Sequence, residues 1–274
     1  MTINLTINTD LAREILTGFI KSEITRVGMS RAIVNLSGGL DSALSCALAV
    51  EALGAENVLA LRLPYRASSS NSLTDAQLLV DQLGIECRTI EITGMVEPLF
   101  DLDPAISNLR KGNIMARARM IVLYDQSEAN KALPVGTSNK TEILLGYSTI
   151  YGDSASAINP IGDLYKTQAR QLSRAMNIPA SIIDKPPSAD LWADQTDEKE
   201  LGFTYEEVDR LLYLLVDQRY SPKEAIEAGF EKKFVETVTT RIRRYQFKRM
   251  QPPIAKISNR TIGYDFLYLR DWGT

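Results

Sequence analysis

A pair of glycines interrupts an apolar run in Arg31-Ala-Ile-Val-Asn-Leu-Ser-Gly-Gly-Leu-Asp-Ser42, and that interruption narrows the folds open to the chain. Ile33, Val34 and Leu36 have the branched apolar character of a buried strand, whereas Ala43, Leu44, Ala47, Leu48 and Leu53 recur at helical spacing. Between them, Ser37, Gly38, Gly39, Leu40 and Asp41 must convert a strand into a helix. Gly38 and Gly39 can take backbone angles closed to other residues, so successive N–H groups can face one concavity at the positive end of a helix dipole. Such a loop is an anion site. No lysine follows the glycines and no Gly-x-Gly-x-x-Gly spacing is present, which sets aside the β/γ-phosphate loop and the dinucleotide fingerprint. A carboxylate in a phosphate nest repels its ligand unless a divalent cation lies between them, so Asp41 points to metal-bridged pyrophosphate over Ser37 to Ser42. Taken alone, the same residues also make a capped turn with Ser37 or Asp41 at the N-cap.

The surrounding pattern supplies the architecture. Leu11, Ile15, Phe19, Ile20 and Ile24 place an amphipathic helix over residues 10–27, covering the sheet or a partner subunit. Strands are expected over 57–63, 86–92 and 132–135, with helices over 72–83 and 115–130. Repeated strand and helix segments predict an α/β fold with a doubly wound parallel sheet covered on both faces, flanked by N- and C-terminal helices. Ligands of such sheets bind beyond the carboxyl ends of the strands, where the Ser37 loop would lie.

A second loop repeats the first. Leu133-Pro-Val-Gly-Thr-Ser-Asn-Lys-Thr-Glu142 reads as strand, glycine, polar cap and helix, with Thr137 and Ser138 as caps and Glu142 about one turn in. Ser138 with Glu142 is also near capping-box chemistry. The chain contains no histidine and only Cys46 and Cys87, which leaves oxygen ligands for any metal. Asp41 and Glu142 at adjacent strand ends therefore form a magnesium site. Lys166, early in a helix expected to run through Met176, is the cation placed on phosphate, although a lysine there can equally face solvent.

Residues 184–202 carry Pro186, Pro187, Trp192 and several acids with little periodicity, and Leu191 and Trp192 suggest a lid. From Thr204 to Met250 the chain reads as helical, with Thr204-Tyr-Glu-Glu207 and Ser221-Pro-Lys-Glu224 as capped starts. One domain over residues 1–274, with a helical portion over 204–250, accommodates all of this. Lys plus Arg total 31 against 34 Asp plus Glu, a net charge of −3 that gives no global attraction to nucleic acid or anionic membrane. The run Arg241-Ile-Arg-Arg-Tyr-Gln-Phe-Lys-Arg249 is basic with interleaved aromatics, compatible with a phosphate backbone or with a solvated helix face. The N-terminus lacks the basic and apolar regions of a signal peptide, and no run approaches the ~20 apolar residues that span a bilayer, so a cytoplasmic protein is expected. Helices at both ends more apolar than solvent exposure warrants suggest a homodimer.

With these residues in place, the chain resembles the ammonia-dependent NAD synthetases of the N-type ATP pyrophosphatase superfamily. Ser37-Gly-Gly-Leu-Asp-Ser42 resembles the superfamily's pyrophosphate loop. Lys111-Gly-Asn-Ile-Met-Ala-Arg-Ala-Arg-Met120, Gly136-Thr-Ser-Asn-Lys-Thr-Glu142, Tyr151-Gly-Asp153 and Lys185-Pro-Pro-Ser-Ala-Asp-Leu191 resemble segments particular to the synthetases. The resemblance implies an adenine nucleotide alpha hydrolase-like, Rossmann-like fold and a two-step reaction. The carboxylate of nicotinic acid adenine dinucleotide (deamido-NAD) attacks the α-phosphate of ATP, pyrophosphate leaves, and ammonia displaces AMP to form an amide. By the same resemblance, Ser37, Gly38, Gly39, Leu40, Asp41 and Ser42 would cradle pyrophosphate. Asp41 and Glu142 would hold Mg2+, and Thr137, Lys166 and Ser188 would contact ATP. Arg62 and Leu63 would lie by its adenine, Asn113 and Arg117 would contact the dinucleotide, and Asp153 would bind ammonium or accept its proton.

The departures from the family pattern cluster in one region. Where many relatives carry lysine, a later aspartate and His-Lys-Arg, this chain has Ile150, Ala157 and Phe247-Lys-Arg249. Either Lys248, Arg249 or Arg244 replaces the missing dinucleotide contacts, or the acceptor is a different carboxylate. Two rivals accompany the synthetase reading: a related enzyme adenylating another carboxylate or a tRNA base, and a nucleotide-binding protein without chemistry.

Overall fold

The computed structural model describes residues 3–188 and 196–267. Strands β1 (Arg31–Asn35), β2 (Val58–Arg62), β3 (Glu86–Thr89) and β4 (Ala132–Val135) form a parallel sheet in the order β3-β2-β1-β4. β1 pairs with β2 from Ala32↔Val58 to Asn35↔Leu61 and with β4 from Arg31↔Ala132 to Val34↔Val135. Side chains alternate across this sheet as the two-residue period requires. Ala32 and Val34 of β1, with Val58 and Ala60 of β2, face one apolar cluster, while Ile33, Leu59 and Leu61 face another. Both faces of the sheet are therefore buried, which explains why these strands read as continuous apolar runs.

Helices α1 (Thr9–Arg26), α2 (Leu40–Leu53) and α3 (Ser70–Leu83) cover the first face through Ile20, Ile24, Leu44, Leu48 and Leu79, and α4 (Thr93–Phe100) and α5 (Asn108–Asn130) cover the second through Val96, Phe100, Met115 and Val122. The chain continues through α6 (Lys140–Leu145) and α7 (Lys166–Ala175), whose Ala169 and Leu172 return to the first face. Short helices α8 (Ala180–Ile183) and α9 (Asp197–Leu201) precede α10 (Tyr205–Leu212), α11 (Pro222–Glu227) and α12 (Lys232–Arg244). These last helices bury Val208, Leu211, Val235 and Val238 with Leu145 and Tyr165 in a third cluster. The doubly wound sheet and the helical C-terminal portion follow the sequence pattern, and Thr204 and Ser221 start α10 and α11 with complete capping boxes, Pro222 occupying the first turn of α11.

Several boundaries differ from expectation. The third strand ends at Thr89, yet Ile90 and Ile92 still donate their N–H groups to the carbonyls of Arg62 and Pro64, each at 2.9 Å. α5 begins at Asn108, capped by the Ser107 side chain, well before the expected start at Met115. Gly112 breaks the apolar period there but is buried against the protein, so packing overrides propensity. α4, where no helix is expected from the sequence, contains Gly94 and Pro98, and burial of Val96 and Phe100 on the sheet holds it. The loop expected over 184–202 contains α9; Leu191 and Trp192 lie outside the described residues. On α1 only Ile20 and Ile24 are buried, and Leu11, Ile15 and Phe19 form an exposed stripe.

Leu44 has no exposed surface and lies centrally in the cluster on the first face. Leu44→Ala should lower stability by about 2–5 kcal/mol, the usual cost of a leucine-sized core cavity, read from the urea unfolding midpoint at unchanged m-value.

Candidate active site

β1 has β2 on one side and β4 on the other, so the connections leaving β1 and β4 diverge and open a crevice at the carboxyl ends of the strands. A cavity of about 710 Å³ occupies that crevice. Gly38 turns the chain into it with φ +78°, and a Cβ there would lie 2.2 Å from the Ser72 carbonyl oxygen. Gly39 is the N-cap of α2 and has no side-chain cap, so neither Ser37 nor Asp41 caps the helix as the alternative turn reading expects. The loop is closed from within instead. Ser37 N–H donates to Ser42 Oγ at 3.2 Å, Ser42 Oγ donates to Gly39 O at 3.0 Å, and Gly39 N–H donates to Ser37 Oγ at 3.3 Å.

α6 is also capped differently from expectation. Asn139, rather than Thr137 or Ser138, occupies the N-cap; its side chain accepts from Glu142 N–H at 3.0 Å, and Glu142 Oε2 accepts from Asn139 N–H at 3.4 Å. Asn139 stands three residues before Glu142, the spacing that a capping box needs. Asn139 Nδ2 also donates to Asp41 Oδ1 at 3.0 Å, tying the two loops together. Into this junction α7 delivers Lys166, whose side chain is 5% exposed and whose Nζ hydrogen-bonds Asp41 and, at 3.3 Å, Glu142. The ammonium also lies 5.1 Å from the centroid of the Tyr205 ring.

A third acid joins this centre. Asp197 is buried, accepts hydroxyl hydrogen bonds from Tyr147 and Tyr205 at 3.1 Å each, and contributes to the field at Lys166. Burial by itself would depress the Lys166 pKa, but attraction to Asp41 and Glu142 prevails and raises it, so the lysine stays charged. Glu142 is pushed up to about 8, first by burial and then by repulsion from Asp41 and Asp197, against the opposing pull of Lys166. Asp41 and Glu142 both reach the Lys166 ammonium, with Asp197 adding to the negative field, so the two carboxyl groups converge closely enough to share one cation. Magnesium is commonly bound by one or two carboxylates completed by substrate phosphates, so the donor set fits that ion.

Of the remaining sequence candidates, Ser37, Gly39, Leu40, Ser42, Arg62, Leu63, Asn113, Thr137, Asp153, Ser188 and Lys248 line the cavity with Asp41, Glu142 and Lys166. Gly38 is buried behind the loop. Arg62 is held by Thr89 Oγ1 at 3.0 Å and Gln77 Oε1 at 2.8 Å, and Asn113 Oδ1 accepts from Thr149 Oγ1 at 2.7 Å. Asp153 accepts from Thr149 N–H at 2.7 Å and opens onto the cavity; desolvation by the surrounding protein raises its pKa despite that hydrogen bond and the nearby Lys248 charge. Arg117 lies off the wall, exposed, and donates to Ile150 O at 3.3 Å, while Arg119, which sequence reasoning missed, lines the cavity and donates to Leu63 O at 2.9 Å. Asp197, Glu200 and Tyr147 were likewise missed: their spacing fits an acidic loop and an aromatic core position equally well.

Ile150, Ala157 and Phe247 do not line the cavity. Among the three cations expected to compensate for them, only Lys248 does. Arg249 Nη1 donates to Leu144 O at 2.8 Å, and Arg244 stacks 5.8 Å from the Tyr245 ring. The basic run is mostly a carbonyl clamp: Arg241 donates to Leu145 O at 3.0 Å and Lys248 to Gly146 O at 2.8 Å, so these residues satisfy the C-terminal carbonyls of α6.

A doubly wound parallel sheet with a glycine loop, two carboxylates at helix N-termini and a buried lysine at its switch point defines a protein of the α/β nucleotide-binding class. The model of the NAD synthase family matches residues 12–252. The chain belongs to that family. It is 55% identical over 269 residues to the NH(3)-dependent NAD(+) synthetase of Trichlorobacter lovleyi, covering 98% of each chain, and 52% identical over 269 residues to that of Chlorobaculum tepidum, covering 98% of this chain and 97% of the relative. Among solved structures it is similar to NMN synthetase from Francisella tularensis (TM-score 0.81, 31% identity, 91% of this chain and 99% of that one). It is also similar to the NH3-dependent NAD synthetase of Campylobacter jejuni (TM-score 0.79, 32% identity, 91% and 100%).

Gly38→Ala forces a side chain into a left-handed backbone and against the Ser72 carbonyl. The substitution should destabilise the protein by roughly 1–3 kcal/mol through strain and should weaken binding of ATP, measured by calorimetry, more than it lowers the unfolding midpoint.

Proposed function

We propose that the chain performs the ATP-dependent amidation of deamido-NAD to NAD with ammonia as the nitrogen donor, as a carbon–nitrogen ligase. The observation that carries this reading is the similarity to ammonia-dependent synthetases over nearly the whole chain, with the Asp41, Glu142 and Lys166 constellation intact at the switch point. Neither rival is favoured. The basic run that pointed to a tRNA base is largely folded onto the carbonyls of α6, and simple binding needs no lysine poised between two acids.

In the first step a nicotinate carboxylate oxygen bonds to the α-phosphorus of ATP as the bond to pyrophosphate breaks. The Ser37 to Ser42 loop and the dipole at the N-terminus of α2 receive the departing pyrophosphate, and Lys166 offsets the charge that grows on it. Asp41 and Glu142 would hold magnesium, which when bound supplies positive charge beside the phosphate oxygens. Thr137 and Ser188, with Lys166, contact ATP, and Arg62 and Leu63 lie at its adenine. In the second step the ammonia nitrogen bonds to the carboxyl carbon, loses a proton, and AMP departs with the former carboxylate oxygen. Asp153, open to the cavity, binds the ammonium or takes that proton. Asn113 and Lys248, which line the cavity, contact the dinucleotide; Arg117, off the wall, is not assigned to it. A homodimer in the cytoplasm belongs to the same reading; the exposed Leu11, Ile15 and Phe19 stripe supports the dimer.

Pyrophosphate release measured with magnesium ATP, ammonia and deamido-NAD, each omitted in turn, should require both ATP and deamido-NAD, and NAD should form only when ammonia is present. Release without deamido-NAD at the full rate would sink the assignment. Lys166→Ala should lower kcat by about 10²–10³-fold, as expected for loss of a group aimed at developing charge. Lys248→Ala should raise KM for deamido-NAD about 10-fold, the loss of roughly one charge-assisted hydrogen bond, with kcat little changed.

A further inference from the structure

Asp209 is a buried carboxylate with no direct place in the reaction just described. It lies on α10 with no exposed surface, and burial is the largest influence on its ionisation, raising its pKa. Burying a carboxylate is costly, so its hydrogen-bond partners indicate what it is kept for. Oδ1 accepts the Thr141 hydroxyl at 2.5 Å, and Oδ2 accepts the Thr167 N–H at 2.8 Å. Thr141 Oγ1 in turn accepts the Lys166 N–H at 3.0 Å. The Thr141 hydroxyl proton is committed to Asp209, which leaves the oxygen lone pair for Lys166. Each atom in the chain has one role.

The consequence lies in which elements are joined. Thr141 is in the first turn of α6, next to Glu142, and Lys166 and Thr167 open α7. One carboxylate thus links the backbone start of α7 to the first turn of α6, and the Lys166 ammonium at the other end of that side chain must meet Glu142 and Asp41. Apolar packing between the two helices would tolerate sliding; a two-oxygen acceptor with fixed bite does not.

We propose that Asp209 is a positioning residue, setting the Lys166 ammonium between Asp41 and Glu142 by fixing the first turns of α6 and α7 in register. The proposal rests on the reading that Lys166 acts on ATP. Asp209→Asn keeps the shape but supplies only one acceptor. Its amide hydrogens must face either the Thr167 N–H, donor against donor, or the Thr141 hydroxyl, whose own proton then has no acceptor. Thr141→Val removes the hydroxyl at similar volume, and Thr141→Ser restores it.

The test uses the full chain with magnesium ATP, ammonia and deamido-NAD, with rates expressed per folded molecule from circular dichroism. Asp209→Asn and Thr141→Val should each lower kcat about 10- to 100-fold, the scale of a displacement near 1 Å at a reacting group, with KM for ATP changed less than about threefold. Thr141→Ser should stay within about threefold of the unmodified protein. If both Asp209→Asn and Thr141→Val lower the unfolding midpoint yet keep kcat per folded molecule, Asp209 is structural and the proposal fails. Should Asp209→Asn not fold, the Thr141→Val and Thr141→Ser pair decides by the same criterion. A Lys166→Ala arm separates the two levels: full activity there overturns the role of Lys166 itself, whereas lost activity there with normal Thr141→Val overturns only the positioning role of Asp209.

Discussion

The contact on which the site depends is a buried ammonium held between carboxylates from the first turns of two different helices. Lys166 meets Asp41 across 125 residues of sequence and Glu142 across 24, and so joins α2, α6 and α7 at one point. Desolvating these charges costs several kcal/mol per ion, and a well-packed apolar triad can be at least as stable, so stability alone does not account for the arrangement. Its value lies in charge placement. With Asp197 added, the centre is rich in acidic groups, and attraction to Asp41 and Glu142 keeps the lysine protonated despite its burial.

The helices that surround this point hold α6 at both ends. At its N-terminus Asn139 and Glu142 complete a capping box while Asn139 reaches to Asp41. At its C-terminus Gly146, with φ +62°, lets Tyr245 approach so closely that a Cβ on the glycine would lie 2.2 Å from the Tyr245 Cβ. Arg241, Lys248 and Arg249 then take the last carbonyls of the helix. α6 has only six residues, too few to be stable in isolation, so its geometry is imposed by these contacts. The C-terminal helices are thereby built into the site wall and are more than an appendage to the sheet.

Much of this was legible from residue type and spacing. The strand and helix alternation announced the parallel sheet because both faces are covered, and the glycine pair after Ser37 announced the tight strand-to-helix turn because Gly38 takes a left-handed backbone against the Ser72 carbonyl. Capping boxes at Thr204 and Ser221 appear at the positions their spacing predicts. Short elements were not legible. α4 contains a proline, α9 is one turn long, and both are held by burial rather than by local preference. Arg117 and Arg119 lie two residues apart on α5, and sequence alone does not indicate which of them reaches the cavity wall, because helix rotation against the sheet decides it.

The sequence by itself determined the parallel α/β class, a glycine turn between the first strand and its helix, an aspartate and a second acid after matching strands, and, in a chain without histidine, oxygen ligands for any metal. Those are local properties, set by backbone freedom and side-chain functional groups. Only the tertiary structure decided which charges meet. The convergence of Asp41, Glu142, Lys166 and Asp197, the capture of the basic run by α6 and the locking of α7 by Asp209 all depend on strand order and helix packing, which bring together residues whose separation in the chain carries no signal.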